Sequence, residues 1–385
     1  MIIRDLQADE REVAATVVFE RSGGERRSWV RRREPVAGYE AFAVAFHRLA
    51  LQSGEGRILV EGPLDPVLAG ALATAGAFAS HWWGFLPMTI EATSWHATKG
   101  AARPAASFFT GGIDSLFTLH RNLRSFPAGH PWRIGRGLLA YRFDAGLGGH
   151  TQADDERPVF DRLADRLAEG LAPLGVEIEV VDTNFREGVD FESYMARLFS
   201  GFLIGMAHAS GPGVYRLASA KDVPELRPHG SHPSLDDNTF STVTRVIHDG
   251  HDVARLDKLS FLRDWQVDLS LLHVCWETPI AGPLNCGRCH KCRRTLVELA
   301  AVGLEDAAAG SFVEADFDDA IATLEPRSND LPFLRAAAAR LRQRGRPADA
   351  LETSLRRYDA RLRRAEERDW RGPPKRLLRS LGLRR

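Results

Sequence analysis

From residue 105 onward the sequence alternates short apolar segments with longer amphipathic ones, and this alternation constrains the fold more than any other feature. The short segments have the length and composition of strands, and the longer ones have helical periodicity. Repeated strand–helix units specify a parallel sheet with helices on both faces. We therefore predict an α/β fold around a doubly wound, five-stranded parallel sheet, with strands at 106–109, 137–143, 176–181, 214–219 and 243–248 and helices near 114–123, 154–171 and 191–209.

The regions on either side differ from this central part. Residues 1–100 combine alternating apolar segments with a helix-like segment, which indicates a small N-terminal α/β appendage. Residues 304–385 are rich in Ala, Arg and Glu, and prolines interrupt their helical periodicity, which indicates a helical tail. We thus predict three parts: the appendage, a central domain at 101–303 and the tail.

The bulk composition is that of an ordinary soluble globular protein. The 385 residues include 51 basic and 51 acidic ones, and this balance gives no sign of a polyanionic partner. The first residues lack the basic start, apolar core and cleavage site of a signal peptide, and no segment predicts a membrane span. We expect a cytoplasmic protein with no membrane partner and no clear nucleic-acid partner.

The segment from Thr110 to Ser115, Thr-Gly-Gly-Ile-Asp-Ser, lies between the first predicted strand and the first predicted helix. A turn at this place can direct backbone N–H groups and a helix N-terminus towards a phosphate. Gly111 and Gly112 allow a ligand to approach closely. The hydroxyls of Thr110 and Ser115 can add donors, and Asp114 can hold the loop or a magnesium ion. The alternative is a plain turn with a capped helix, but the surrounding α/β alternation favours phosphate binding.

All four cysteines lie within 18 residues, at Cys275, Cys286, Cys289 and Cys292. In a chain without a secretory signal, this clustering indicates a metal site rather than disulfides. Four thiolates complete a tetrahedral zinc site and leave no open coordination position, so we predict a structural zinc ion. An iron–sulfur cluster is the less simple alternative.

The loop at residues 110–115 resembles the signature Ser-Gly-Gly-x-Asp-Ser of the PP-loop, or N-type, ATP pyrophosphatase superfamily of adenine nucleotide alpha hydrolases. Thr110 replaces the first serine and keeps its hydroxyl. The resemblance implies that ATP is split into AMP and pyrophosphate, with the loop at the pyrophosphate. It also implies an adenylated intermediate that ammonia, an amine or sulfur attacks. The loop is not a Walker A sequence, because the Gly-Lys-Ser/Thr ending is missing.

Loop and cysteine cluster together resemble one branch of this superfamily, the 7-cyano-7-deazaguanine synthases, over residues 105–303. Those enzymes also place a Cys and then a Cys-x-x-Cys-x-x-Cys zinc site near the end of the domain. The resemblance implies a C–N bond-forming ligase that uses ATP, Mg²⁺ and Zn²⁺, acting on a 7-deazaguanine-like or other small-molecule carboxylate. Residues 1–100 and the helical tail have no counterpart in the small synthases.

Residues 221–237, between the fourth and fifth predicted strands, carry many polar groups on a turn-rich segment. Loops beyond the carboxyl ends of parallel strands bind ligands in this architecture. We predict Lys221 as a nucleotide contact, and Ser231, His232 and Asp236 as substrate contacts, since histidine suits proton transfer near neutral pH. A surface loop that uses Pro, Gly, Ser and Asp as turn formers is an equally good interpretation.

Arg255 and Lys258 are one helical turn apart, so they can point together towards the phosphates. Only five of the 51 basic residues are lysines, which draws attention to Lys258, although a solvated basic face competes with this interpretation. In the superfamily a lysine at the start of this late helix often faces the pyrophosphate, and Lys258 matches that placement. We predict Asp114, Ser115, Arg255 and Lys258 as the catalytic group.

Two hypotheses follow. The first is an ATP-dependent ligase that adenylates a small-molecule carboxylate for attack by ammonia or an amine donor. Nucleobase thiolation is the rival within this class, but it usually needs a catalytic cysteine pair, and the metal site uses every cysteine. The second is a zinc-knuckle module that senses a nucleotide or binds nucleic acid or protein without catalysis, although neutral charge disfavours nucleic acid. A homodimer is compatible with both.

Overall fold

The computed structural model describes residues 1–96, 99, 101, 103–143 and 157–371, with side chains as far as residue 365. Ten strands form one sheet. They are β1 (Ile2–Ala8), β2 (Glu12–Phe19), β3 (Gly24–Arg31), β4 (Arg57–Leu64), β5 (Thr89–Trp95), β6 (Ala105–Phe108), β7 (Ile134–Ala140), β8 (Glu177–Thr183), β9 (Gly213–Ala218) and β10 (Thr244–Asp249).

Helices occupy much of the remaining described chain. They are α1 (Glu40–Ser53), α2 (Pro66–Trp83), α3 (Ile113–Ser125), α4 (Arg157–Leu171), α5 (Phe191–Ser193), α6 (Phe199–Ala209), α7 (Pro233–Asp236), α8 (Arg255–Asp264), α9 (His290–Val302), α10 (Glu305–Ala309), α11 (Phe317–Thr323), α12 (Leu331–Gln343) and α13 (Asp349–Arg371). The predicted helix at 191–209 is divided by a π-helical turn at Tyr194–Leu198. The predicted start of the helix at 154, and the end of the tail beyond 371, lie outside the described residues.

The strand order is β10-β9-β6-β7-β8-β3-β2-β1-β4-β5. The first five strands in this order are parallel to one another. The sheet does not end there, because β3 pairs antiparallel with β8 through Val30–Thr183 and Arg31–Asp182. The predicted five-stranded sheet is therefore not confirmed. The fold is α/β with a large, mostly parallel sheet, to which residues 1–96 contribute five of the ten strands.

Apolar residues cover both faces of the parallel strands. Along β7, Leu138 and Ala140 pack in a cluster with α1 and α6, whereas Leu139 packs in a second cluster with α3, α4, α8, α9 and α12. Successive strand residues point to opposite faces, so the near-continuous apolar run of β7 serves both clusters. The turns that follow β6, β9 and β10 lie at the carboxyl edge of the sheet. Among the described residues no helix is long and apolar enough to span a membrane.

Candidate functional site

The turn after β6 is held by the backbone of the segment before the cysteine cluster. Gly111 has a φ of 76°, and a Cβ added there would lie 2.5 Å from the carbonyl oxygen of Leu271. The amide of His273 donates to Gly111 O at 2.9 Å, and the His273 ring nitrogen Nδ1 donates to Thr110 O at 3.2 Å. Gly111 is thus required by the turn and by its close contact with the protein's own backbone.

Gly112 is the N-cap residue of helix α3 and has more space around it than Gly111. Its backbone is extended (φ −70°, ψ 160°), and a Cβ added there would meet nothing closer than 3.6 Å. A glycine has no side chain with which to cap the helix, so the first-turn N–H groups of α3 remain for solvent or an anion. The Ser115 hydroxyl donates to Gly112 O at 2.9 Å and therefore braces the turn.

Asp114, in the first turn of α3, lies between two cations from α8. Its Oδ2 is 2.6 Å from Arg255 Nη1, and its Oδ1 is 3.2 Å from Lys258 Nζ. Burial raises the pKa of this carboxyl, but the facing charges of Arg255 and Lys258 outweigh burial and hold the pKa below its ordinary value. Asp114 is therefore ionised at neutral pH and ties α8 to the start of α3.

Arg255 and Lys258 are both beside the loop but are more deeply buried than the sequence suggests. Their side chains are 5% and 1% exposed. Lys258 Nζ also donates to the carbonyl of Ser219 and lies 5.8 Å from the centre of the Phe117 ring. The solvated basic face considered from the sequence is therefore wrong. Both cations are directed at Asp114.

A second acid holds Arg255 from the other side. Glu298 on α9 is fully buried, and its two carboxylate oxygens accept from Arg255 Nε at 3.0 and 3.1 Å. Burial opposes the charge of Arg255, but Glu298 and Asp114 raise its pKa above the ordinary value. Arg255 is thus a permanently charged bridge between the loop and the helix that follows the cysteine cluster.

The four cysteines converge as the sequence predicts. Their sulfur atoms all lie within 4.8 Å of one another, all four are buried, and Cys275–Cys289 and Cys286–Cys292 are each separated by 3.9 Å. A Zn–S bond of about 2.3 Å in a tetrahedron separates sulfurs by about 3.8 Å, close to the observed distances. A disulfide needs about 2.05 Å, so these thiols are unbridged. The arrangement is compatible with zinc.

The backbone around the cluster also supports the four sulfurs as metal ligands. Amide N–H groups point at the sulfurs, among them Glu277 N to Cys275 Sγ at 3.2 Å and Cys289 N to Cys286 Sγ at 3.2 Å. Such contacts stabilise thiolate ligands and orient them around a metal. Gly287 has a φ of 81° and approaches the Glu314 carbonyl, so only glycine fits this position of the knuckle.

The predicted substrate loop is organised around Asp236, whose predicted role the structure corrects. Its side chain is 0% exposed and pairs through Oδ1 with Arg48 at 3.0 Å. Its Oδ2 lies 2.9 Å from His248 Nδ1 and accepts from Ser231 Oγ at 2.9 Å and His232 N at 3.0 Å. A carboxylate engaged on both oxygens and shielded from solvent cannot contact a substrate. Asp236 instead holds Ser231 and His232 in place.

Ser231 and His232 remain partly exposed beside this carboxylate. The His232 ring makes an edge contact with Trp82, at 4.7 Å between centroids, and its Nδ1 accepts from Ser234 N. Burial, followed by the nearby His248, lowers the pKa of His232, which keeps the ring neutral at physiological pH. Lys221 lies in the turn after β9 and is half-buried, with its carbonyl accepting from the Ser219 hydroxyl.

Several residues that hold this region together were not predicted from the sequence. His273, which clamps the loop, stands in an unremarkable apolar run. Glu298 and Arg48 had a usable signal, because each is a charged residue inside an otherwise apolar helical segment. When such a residue is buried, it is paired with an opposite charge. The partner itself could not be read from the sequence.

A wide groove elsewhere on the molecule contains none of the predicted site residues. It has a volume of about 1070 Å³ and lies against β2, β3 and β8, with Glu12, Arg31 and Asp182 in its lining. Some of its charges are paired within the protein, as in the 2.7 Å contact between Arg31 and Glu12. We give more weight to the loop after β6, where a helix N-terminus and converging buried charges coincide.

Comparison of the chain with protein-family models, with curated proteins and with solved structures finds no match in any of the three.

Proposed function

We propose that this chain is an ATP-dependent ligase of the PP-loop pyrophosphatase type. The observation that carries the proposal is the Asp114 carboxylate, held between Arg255 and Lys258 beside an uncapped glycine turn at the start of α3. Fixed charges next to uncapped backbone N–H groups form a preorganised site for an anion such as a triphosphate. The resemblance of residues 110–115 to the PP-loop signature supplies the reaction class.

In the proposed reaction a carboxylate oxygen of the acceptor attacks the α-phosphorus of ATP. The bond to the bridging oxygen breaks, pyrophosphate leaves, and an acyl-adenylate forms. Ammonia or an amine then attacks the acyl carbon, the amide forms and AMP leaves. ATP supplies the leaving group for both steps, so no oxidant or reductant is needed.

The described residues take distinct roles in this proposal. The first-turn N–H groups of α3 and the Thr110 hydroxyl contact the phosphates, and Asp114 is the residue proposed to hold Mg²⁺. Arg255 is a positioning residue, since it is buried and reaches the loop only through Asp114. The acceptor is proposed to bind at Ser231 and His232. The four cysteines hold a structural zinc ion that fixes the start of α9.

The test is release of pyrophosphate and AMP from ATP with panels of small-molecule carboxylates plus ammonia. We expect activity in the natural protein and none in Asp114→Ala. Asp264→Ala is the matched control, because this last residue of α8 is 57% exposed and, within the described part of the chain, pairs only with its neighbour Arg263. Circular dichroism and thermal melting verify that each variant is folded.

Two outcomes contradict the proposal. Pyrophosphate release that survives Asp114→Ala removes the site assignment. Absence of release with every acceptor, while ATP still binds, favours the non-catalytic nucleotide-sensing module.

A further inference from the structure

A continuous line of six buried side chains, with charges of alternating sign, joins the helix of the cysteine cluster to residues 110–115. These residues are the phosphate loop of the proposed function. None of the six side chains is more than 17% exposed. In order along the line they are Asp330, Arg294, Glu298, Arg255, Asp114 and Lys258. The successive N–O distances are 2.8, 3.4, 3.0, 2.6 and 3.2 Å.

The line contains three acids and three bases, so it is neutral as a whole. Each interior member has a partner on both sides. Removing one member leaves its neighbours buried and uncompensated, which is costly in a low-dielectric interior. The aromatic ring of Phe333 lies 5.6 Å from the guanidinium carbons of both Arg255 and Arg294, which restricts how far either can move. The positions of these charges are therefore interdependent.

One end of the line is fixed by the cysteine cluster. Cys289 is the N-cap residue of α9, its sulfur accepts from Cys292 N, and Cys292 lies in the first turn. Arg294 and Glu298 follow on the same helix, two residues and one further turn beyond Cys292. The positions of two of the four sulfurs, those of Cys289 and Cys292, and the placement of Glu298 are thus set by one rigid element. A metal that holds the sulfurs also holds Glu298 against Arg255.

The other end is the phosphate loop. Asp114 belongs to the first turn of α3, where the proposed triphosphate meets the backbone N–H groups. Arg255 links this carboxylate to Glu298 and has no other acid within ion-pair distance among the described residues. A shift of α9 would therefore move Glu298 relative to Arg255 and, through Arg255, change the ion pair with Asp114. An anion bound at the loop would in turn favour the arrangement in which α9 is correctly placed.

We propose that metal binding at the four cysteines and nucleotide binding at the loop are thermodynamically coupled through Glu298, each increasing the affinity for the other. The inference rests on the proposed function, because it takes the loop as the nucleotide site. Coupling between two binding sites is reciprocal, so the two affinities must change by the same factor. Typical couplings are about 5- to 150-fold, and we take about tenfold, within this range, as the expected value.

The experiment measures both affinities on the full chain. Dissociation constants for α,β-methylene-ATP are determined by calorimetry on zinc-loaded and on chelator-stripped protein. The dissociation constant for zinc is determined by competition with a chelating dye, with and without the nucleotide analogue. We expect the analogue to bind about tenfold more tightly to loaded protein, and zinc to bind more tightly by the same factor when the analogue is present.

Glu298→Gln isolates the connection, because glutamine keeps the size and one acceptor oxygen but removes the charge. We expect both ligands still to bind and the coupling factor to fall towards one. Glu179→Gln is the matched control, since Glu179 is a partly buried acid between two arginines, Arg32 and Arg136, away from the line. The coupling should be unchanged in this control. The coupling factor of the natural protein needs no variant, so a factor above one or equal to one tests the proposal even if Glu298→Gln does not fold.

The outcomes separate the two proposals. Equal affinity for the analogue with and without zinc, or full coupling in Glu298→Gln, would each overturn the inference and leave the proposed function standing. Loss of the folded circular dichroism signal on stripping also overturns it, because the metal would then serve folding as a whole. Failure of the loaded protein to bind the analogue removes the proposed function and the inference together.

Discussion

An added methyl group should have opposite consequences at the two glycines of the phosphate loop: it is strained at Gly111 and accommodated at Gly112. Gly111 has a φ of 76°, a left-handed conformation that costs an L-residue about 1–2 kcal/mol. An alanine Cβ there would also lie 2.5 Å from Leu271 O, in backbone that His273 holds in place, and overpacking of this kind costs about 1–3 kcal/mol. The reduced freedom of the unfolded chain returns about 0.4–1 kcal/mol. We expect Gly111→Ala to destabilise the protein by about 2–4 kcal/mol.

Gly112→Ala is the control in the same loop. Its φ of −70° suits alanine, and the nearest atom to the new Cβ is Thr110 Oγ1 at 3.6 Å. The unfolded-state gain of about 0.4–1 kcal/mol is offset by the weaker capping of alanine, about 0.5–1 kcal/mol. We expect a change in stability within about 0.5 kcal/mol. The methyl group would nevertheless project beside the first-turn N–H groups, so nucleotide binding should weaken.

Calorimetric melting of the two variants decides between these expectations. Unfolding entropy of about 2.1 cal/mol/K per residue over 385 residues converts a loss of 3 kcal/mol into a fall in Tm of about 4 °C. We expect this fall for Gly111→Ala and less than about 1 °C for Gly112→Ala. Equal Tm values for both variants, or a larger fall for Gly112→Ala, would refute the assignment of Gly111 to the strained, closely packed position.

Two further predictions concern buried acids. Burial raises the pKa of Asp330, but His290 and Arg294 outweigh burial and lower the pKa to about 2. The resulting stabilisation is complete above the ordinary pKa of 3.8 and is lost as the pH falls towards 2. In Asp330→Asn, the fall in the free energy of unfolding between these pH values, measured with urea, should therefore be smaller by about 2 kcal/mol. An unchanged acid-side pH dependence of the free energy of unfolding in Asp330→Asn would contradict this. Asp236→Asn leaves Arg48 buried without its acid, which should cost about 3–5 kcal/mol and speed amide exchange in the substrate loop. Equally fast exchange there in Asp330→Asn would show that the effect is not local.

The phosphate loop shows how far residue patterns reach. A glycine pair between an apolar strand and an amphipathic helix predicts a turn leading into a helix N-terminus, and the structure has β6, the turn and α3 in this order. The cluster of cysteines likewise predicts a common site, and the four sulfurs do converge. Both features are local, since their spacing along the chain alone brings most of their atoms together.

The failures have a common physical origin. Whether a sheet ends or continues depends on pairing between residues far apart in sequence, such as Val30 with Thr183, and no local pattern specifies such a pair. The burial of Arg255 and Lys258 could not be predicted for the same reason. One helical turn of spacing predicts that they share a direction, but not that Asp114 and Glu298 neutralise them in the interior. Asp236 was misassigned because a polar loop residue can be exposed or buried, depending on partners such as Arg48.

The sequence by itself determined the α/β alternation, the turn before α3 and the set of sulfur ligands, because each depends on short-range backbone preference or on clustering along the chain. Only the tertiary structure decided that ten strands form one sheet and that Asp236 is an internal support. It also decided that a line of buried charges connects the cysteine cluster to the loop. These features bring together residues as far as 188 positions apart, as in Arg48 and Asp236, and their energies depend on burial and mutual distance, which arise only when the chain is folded.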